Sequence, residues 1–223
     1  MGKITGTRSH KIGWLAYHPE SRAIDESLVT DLLFDLKGSI LPIDHGYDLF
    51  LELTRLLPWF AEEALGGIHP IHGADTGHGE LILNRRAKLV VRIAAARVAD
   101  LSKLSGQAIQ LGENSLEIGA AKARPLTRHT PLFAHCVTTG SEDEVDFTND
   151  IIRLLDELEI DSRFICGKRQ TIKTLDGTVS GFSLMLHGLP VEHSLLVQQQ
   201  GLGKHRKMGC GIFIPHKSIT ALT

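Results

Sequence analysis

No apolar run in this 223-residue chain approaches the roughly 20 residues that a membrane-spanning helix needs, and residues 1–10 lack the apolar core of a secretory signal. These absences imply no membrane association and a cytoplasmic protein. Cysteine is scarce. Cys136, Cys166 and Cys210 are odd in number, widely separated and outside any Cys-x-x-Cys arrangement, which argues against a disulfide framework and against a thiolate zinc site. They read as small buried fillers. Aromatic residues make up 5% of the chain, and its two tryptophans, Trp14 and Trp59, form no evident stacking platform, with Trp59 expected in the core. A net charge of −2 rules out a uniformly basic surface.

What is present is a globular composition, 42% hydrophobic and 22% charged, enough for one large domain or two of about a hundred residues each. The charge is unevenly placed, and placement rather than its sum decides whether a polyanion can bind. Residues 162–175 hold Arg163, Lys168, Arg169 and Lys173 with no acid, and residues 201–223 hold Lys204, Arg206, Lys207 and Lys217, again with none. Acids crowd residues 142–150, where Glu142, Asp143, Glu144 and Asp146 suit the first turn of a helix, since carboxylates there interact favourably with its dipole.

The most specific stretch is residues 201–211, Gly-Leu-Gly-Lys-His-Arg-Lys-Met-Gly-Cys-Gly. Gly201, Gly203, Gly209 and Gly211 form two Gly-apolar-Gly clamps around five residues, three of them Lys or Arg. Such glycines let the main chain turn through positive φ and approach a ligand closely. Lys204, Arg206 and Lys207 would supply charge for phosphates, His205 a hydrogen bond or a stacking surface, and Leu202 and Cys210 would point inward and pin the loop. A Walker A motif is excluded because the only downstream Lys-Ser pair, Lys217-Ser218, has no glycine before it. The dinucleotide fingerprint fails as well, since Arg206 and Ile214 stand where its third glycine belongs.

Hydrophobic patterning predicts a strand over 29–36, a helix over 47–64 that Pro58 divides, and strands over 80–83 and 88–93 joined by the basic turn Asn84-Arg85-Arg86. A short helix over 94–104 and a strand or hairpin over 108–111 and 116–118 follow. After a connector at 122–130 the order recurs: strand 132–138, helix 142–158, strands 163–173 and 178–187, helix 190–200 and strand 212–216. Strand-helix-strand-strand-helix-strand, twice, predicts an α+β protein of tandem ferredoxin-like, RRM-like βαββαβ domains over 1–121 and 122–223.

With a glycine-rich, basic loop between the last helix and last strand of the second unit, the chain resembles CRISPR-associated RNA-binding proteins of the RAMP superfamily. Within it, the similarity is to the repeat-processing endoribonucleases that mature CRISPR RNA. The resemblance covers essentially the whole chain. It implies binding to CRISPR repeat RNA, cleavage without a metal or other cofactor, retention of the product and delivery to other subunits of a CRISPR effector complex. A different class, a RAMP-type subunit that holds guide RNA without cutting it, stays open. A small-nucleotide-binding protein is disfavoured by the failed phosphate-loop spacings.

Metal-free RNA cleavage uses the substrate's own 2′-hydroxyl as nucleophile. The protein supplies a base, an acid and cationic stabilisation, and histidine suits the proton transfers because its ordinary pKa lies near neutrality. Of twelve histidines, His45 is the first candidate. It stands in Pro-Ile-Asp-His-Gly-Tyr, at the turn into the first helix, a region where the family resembled commonly carries its catalytic histidine. Helix capping beside Asp44 is its structural alternative. Tyr47 is a candidate for positioning the phosphate or sharing the acid role. His72, in Ile-His-Pro-Ile-His-Gly, is a second candidate histidine. His69, His72 and His78 lack the cysteine or carboxylates that would complete a metal site. Arg85, Arg86, Lys168 and Arg169 are expected to contact the RNA backbone.

Overall fold

The computed structural model describes residues 25–217, so Trp14 and the first ten residues lie outside them. The chain runs β1 (Val29–Lys37), β2 (Ile40–Pro42), α1 (Gly46–Leu56), β3 (Gly67–Ile68), β4 (Ala74–Asp75), β5 (Glu80–Ile82), β6 (Lys88–Ala94), α2 (Val98–Leu101), β7 (Ala108–Leu111) and β8 (Asn114–Pro125). A second unit follows as β9 (Leu132–Val137), α3 (Glu144–Glu157), β10 (Arg163–Thr174), β11 (Gly177–His187), α4 (Val191–Gln200) and β12 (Ile214–Pro215).

The first unit forms a five-stranded antiparallel sheet in the order β3-β6-β1-β8-β7. Without the added edge strand β7, this is the ferredoxin-like order, with α1 and α2 as its two crossovers. The second sheet, β10-β11-β9-β12, has the same order with no addition. Two apolar cores result. One gathers Phe34, Leu49, Leu53, Phe60, Leu89 and Val91, and the other Ala134, Phe147, Ile151, Phe182, Leu184 and Phe213. The α+β, tandem ferredoxin-like architecture is therefore present.

Local chemistry explains most element boundaries. Leu49 and Leu53 of α1 are buried at helical spacing, and the helix stops before Pro58, which opens a single 3-10 turn over Pro58–Glu62. Asp143 caps α3 by accepting hydrogen bonds from the backbone N–H groups of Val145 and Asp146, and Glu144 and Asp146 occupy its first turn. The acidic cluster is thus a helix start.

One pairing differs from the expected one. The predicted strand at 80–83 does not pair with 88–93. Glu80–Ile82 instead joins Ile40–Pro42 and Ala74–Asp75 in a separate three-stranded sheet, and the partner of β6 is Gly67–Ile68. Burial explains the choice, because Ile68 becomes buried on the main sheet whereas Ile82 stays 49% exposed in the small one. Consequently Arg85 and Arg86 are in a connecting turn and not at the tip of a hairpin. β8 also runs on to Pro125, so residues 122–125, read from the sequence as connector, are strand and the expected boundary after residue 121 falls within it.

The two units are joined by a buried ionic cluster. Asp31 of β1 lies in register between Arg92 of β6 and Arg124 of β8. Its carboxylate accepts from Arg92 Nε at 2.8 Å and from Arg124 at 3.0 Å, with His69 Nε2 at 3.3 Å. The other end of Arg92 donates to the carbonyls of Gln198 and Phe213 in the second unit, both at 2.8 Å. Arg92 is 1% exposed. Breaking a buried ion pair by removing one partner costs about 3–5 kcal/mol. We predict a loss of that size for Arg92→Met, measured as a lowered urea midpoint with an unchanged slope.

Candidate functional site

The units enclose a cleft of about 560 Å³. Its walls include Asp44 and His45 from the turn before α1, His72 from the following loop, His135 from β9, and Arg169 and Lys173 from β10. The Asp44 carboxylate accepts the backbone N–H of Lys173 at 2.9 Å, so the β10–β11 hairpin is fastened to the first unit at this edge.

His45 is buried and both ring nitrogens are engaged. Nε2 accepts the backbone N–H of Ile71 at 3.1 Å, which requires the proton on Nδ1, and Nδ1 donates to the Pro42 carbonyl at 2.9 Å. Burial lowers its pKa and keeps the ring neutral. It is the residue at the N-cap position of α1 but makes no capping bond with its side chain. Its hydrogen bond to Ile71 instead holds the segment that presents His72. His72 is exposed and lines both this cleft and an adjoining one that contains Arg86, Lys88 and Arg124. Tyr47 does not line the cleft. It packs on an apolar cluster of Cys136, Ile172 and Cys210.

The glycine loop closes the inner end of the cleft through Met208 and Gly209. All four of its glycines have positive φ, between 64° and 94°. At Gly201 and Gly211 the requirement is also steric: a Cβ on Gly201 would overlap the Gly211 carbonyl, and one on Gly211 would overlap that of Leu202. Leu202 and Cys210 point inward and are buried. Arg206 donates to the carbonyls of Gln199 and Gln200 at 2.8 and 2.6 Å, neutralising the C-terminal end of α4, and burial brings its pKa down to about 10. Lys207 donates to the Ala61 carbonyl of the first unit. Of the three loop cations, Lys204 alone has a side chain with no hydrogen bond or ion pair among the described residues, and it is exposed beside His205.

The structure therefore brings His45, His72, Arg169 and Gly209 to one cleft. Arg86 sits in the adjoining cleft, and Arg85, Lys168 and Lys204 are exposed outside the first. Arg169 also pairs with Glu142 at 3.1 Å on the surface. Sequence reading did not single out His135, or the Asp31, Arg92 and Arg124 cluster. The latter had a signal in the charged residues interrupting the apolar strands VTDLLF and KLVVRIA. Among the described residues no group of three or more His, Cys, Asp or Glu side chains could hold a metal ion, and no helix is long and apolar enough to cross a membrane.

The family model described as Cas6 Crispr matches residues 30–218. The chain belongs to the Cas6 CRISPR family. A relative from Myxococcus xanthus (strain DK1622), described as a CRISPR-associated endonuclease Cas6, is 36% identical over 186 residues, covering 83% of this chain and 80% of that protein. The fold is shared with a Cas6-related protein from Pyrococcus furiosus (TM-score 0.61, 14% identity, 83% of this chain and 98% of that one). It is shared too with a RAMP protein binding different RNA substrates (TM-score 0.59, 14% identity, 84% and 100%). Thermus thermophilus Cse3, solved with an RNA representing a pre-cleavage complex, is similar at a TM-score of 0.51 and 11% identity, covering 84% and 98%.

The Cas6 cleft has a pH signature of its own. Burial lowers the pKa of both His45 and His69 from the ordinary 6.5. The unfolded chain takes up these protons first as pH falls, so the stability contributed by the neutral rings is complete above about pH 6.5 and is lost below it. For Asp31, burial alone would raise the carboxyl, but the His69 hydrogen bond and the Arg92 charge outweigh it and hold it far below the carboxylate range. Its contribution persists until well below pH 3.8. Urea unfolding should therefore show stability declining as pH falls from about 6.5 to 5, and a flat profile there would contradict the buried neutral state of the two histidines.

Proposed function

We propose that this chain is a metal-independent endoribonuclease that binds CRISPR repeat RNA and cuts precursor CRISPR RNA in the cleft between its two units. The carrying observation is His72, an exposed imidazole with no protein hydrogen bond among the described residues, set in a cleft with Arg169 and Lys173 on the facing wall. The Myxococcus xanthus relative, a CRISPR-associated endonuclease, supports the activity, and the RNA bound to Cse3 is consistent with the ligand.

In this reading the 2′-hydroxyl attacks the adjacent phosphorus, and the products carry a 2′,3′-cyclic phosphate and a 5′-hydroxyl. His72 exchanges a proton with the reacting oxygens. Arg169 and Lys173 face the charge that develops on the phosphate. His45 positions the loop that carries His72, through Ile71. Tyr47 supports the same wall from the apolar cluster behind it. Lys204 and His205, with Arg85, Arg86 and Lys168 further out, meet the RNA backbone, which gives affinity and register but little sequence information. Arg206 and Lys207 contribute by holding the loop in shape. The first unit supplies the histidine loop and the second the glycine loop. The cut RNA stays bound and passes, in the cytoplasm, to other subunits of a CRISPR effector complex.

Labelled repeat RNA incubated in EDTA tests this directly. Wild-type protein should cut it, and a 2′-deoxy substitution at the cleavage site should block cutting while leaving binding nearly intact. His72→Ala should lower the rate by about 10²–10⁴-fold with little change in affinity. Tight binding by the wild type without any cutting would instead identify a guide-holding subunit. Separately, Lys204→Ala should weaken binding uniformly across repeat sequences and reduce the slope of log affinity against log salt by about 1; an unchanged slope would remove Lys204 from the phosphate contacts.

A further inference from the structure

His135 shares the cleft with His72 but comes from the other unit. It lies on β9, between Ala134 and Val137, which pair with Leu184 and Phe182 of β11 on either side of a register shift. Its neighbours Ala134 and Cys136 are buried, whereas His135 is exposed to the cleft. Among the described residues neither its ring nor that of His72 makes a hydrogen bond or an ion pair, in contrast to His45, whose two nitrogens are both committed to backbone groups. The groups facing it are Asp44 and His45 from the turn before α1, His69 and His72 from the loop after β3, and Arg169 and Lys173 from β10.

Resting on the function proposed above, we infer that His135 is the general base of this cleft, taking the 2′-hydroxyl proton while His72 protonates the departing 5′-oxygen. The bond from O2′ to phosphorus forms as the bond from phosphorus to O5′ breaks. One proton moves from O2′ to His135 and one from His72 to O5′, and exchange with water resets both rings. The division agrees with the local electrostatics. Partial burial, and then the neighbouring His72, lower the His135 pKa from its ordinary 6.5, so the ring is neutral at neutral pH and ready to accept a proton.

The test compares wild type, His135→Ala, His135→Gln and His72→Ala on two RNAs, one all-oxygen and one with sulfur replacing the bridging 5′-oxygen at the scissile linkage. A thiolate leaves without protonation, so the sulfur RNA needs a base but no acid. His72→Ala should be at least 100-fold slow on the oxygen RNA and near wild type on the sulfur RNA. Both His135 variants should be slow on both substrates, with RNA affinity and melting temperature unchanged. They should also lose the wild-type decline in rate below about pH 6.5, which protonation of the base produces. The inference is overturned if His135 variants cut the oxygen RNA at the wild-type rate, keep that acidic limb, or are restored by sulfur. A wild type that binds without cutting overturns the nuclease assignment and this one together, whereas a cutting wild type with unimpaired His135 variants overturns this one alone.

Discussion

The geometry of the whole molecule depends on Arg92. Its guanidinium is committed in two directions, to Asp31 within the first sheet and to the Gln198 and Phe213 carbonyls of the second unit. Two ferredoxin-like units could each close a core without it, yet their mutual position would then rest on two small apolar clusters, around Leu195 and around Tyr47, and on separate hydrogen bonds such as Asp44 to Lys173. Buried ion pairs are poor sources of net stability, because desolvation consumes most of the attraction, but they tolerate only one arrangement of their partners. That property matters here. The cleft walls come from different units, so a small shift between them would separate His72 from His135, Arg169 and Lys173.

The glycine loop obeys the same logic. Its sequence advertises three cations for a polyanion, and two of them also bond the protein's own carbonyls. Arg206 satisfies the end of α4, and Lys207 reaches across to Ala61. Helix C-termini leave carbonyls without intrahelical partners, and a buried guanidinium is well shaped to collect two of them. The glycines give the tightness of the turn, and these two side chains give its attachment. The loop is therefore a rigid wall of the cleft more than a flexible basic finger.

Much of the fold was legible because amphipathic helices and long strands carry their period in local sequence. Phe147, Ile151 and Leu155 mark the buried face of α3, and Asp143 marks its start. Gly67–Ile68 was missed because a two-residue strand has no period, and its only signature is a pairing with Arg92 and Val91 made far along the chain. The site was legible where the residue type is unusual, as at His45, His72 and the loop glycines. It was illegible where the role depends on contact between units. Nothing near His135 distinguishes it from any polar residue alternating along a strand, and nothing near Lys207 shows that its amine will find a carbonyl in the other unit.

The loop also divides into a frame and a tip. Residues 201–203 and 206–211 are constrained by dihedral angle, close backbone approach or internal hydrogen bonding, while Lys204 and His205 carry exposed side chains on that frame. His205 adds only the left-handed φ of 62° as a local demand, which asparagine or glycine would also meet. Exchanging this dipeptide alone therefore changes the charge and hydrogen-bonding groups at the tip while the frame keeps its shape.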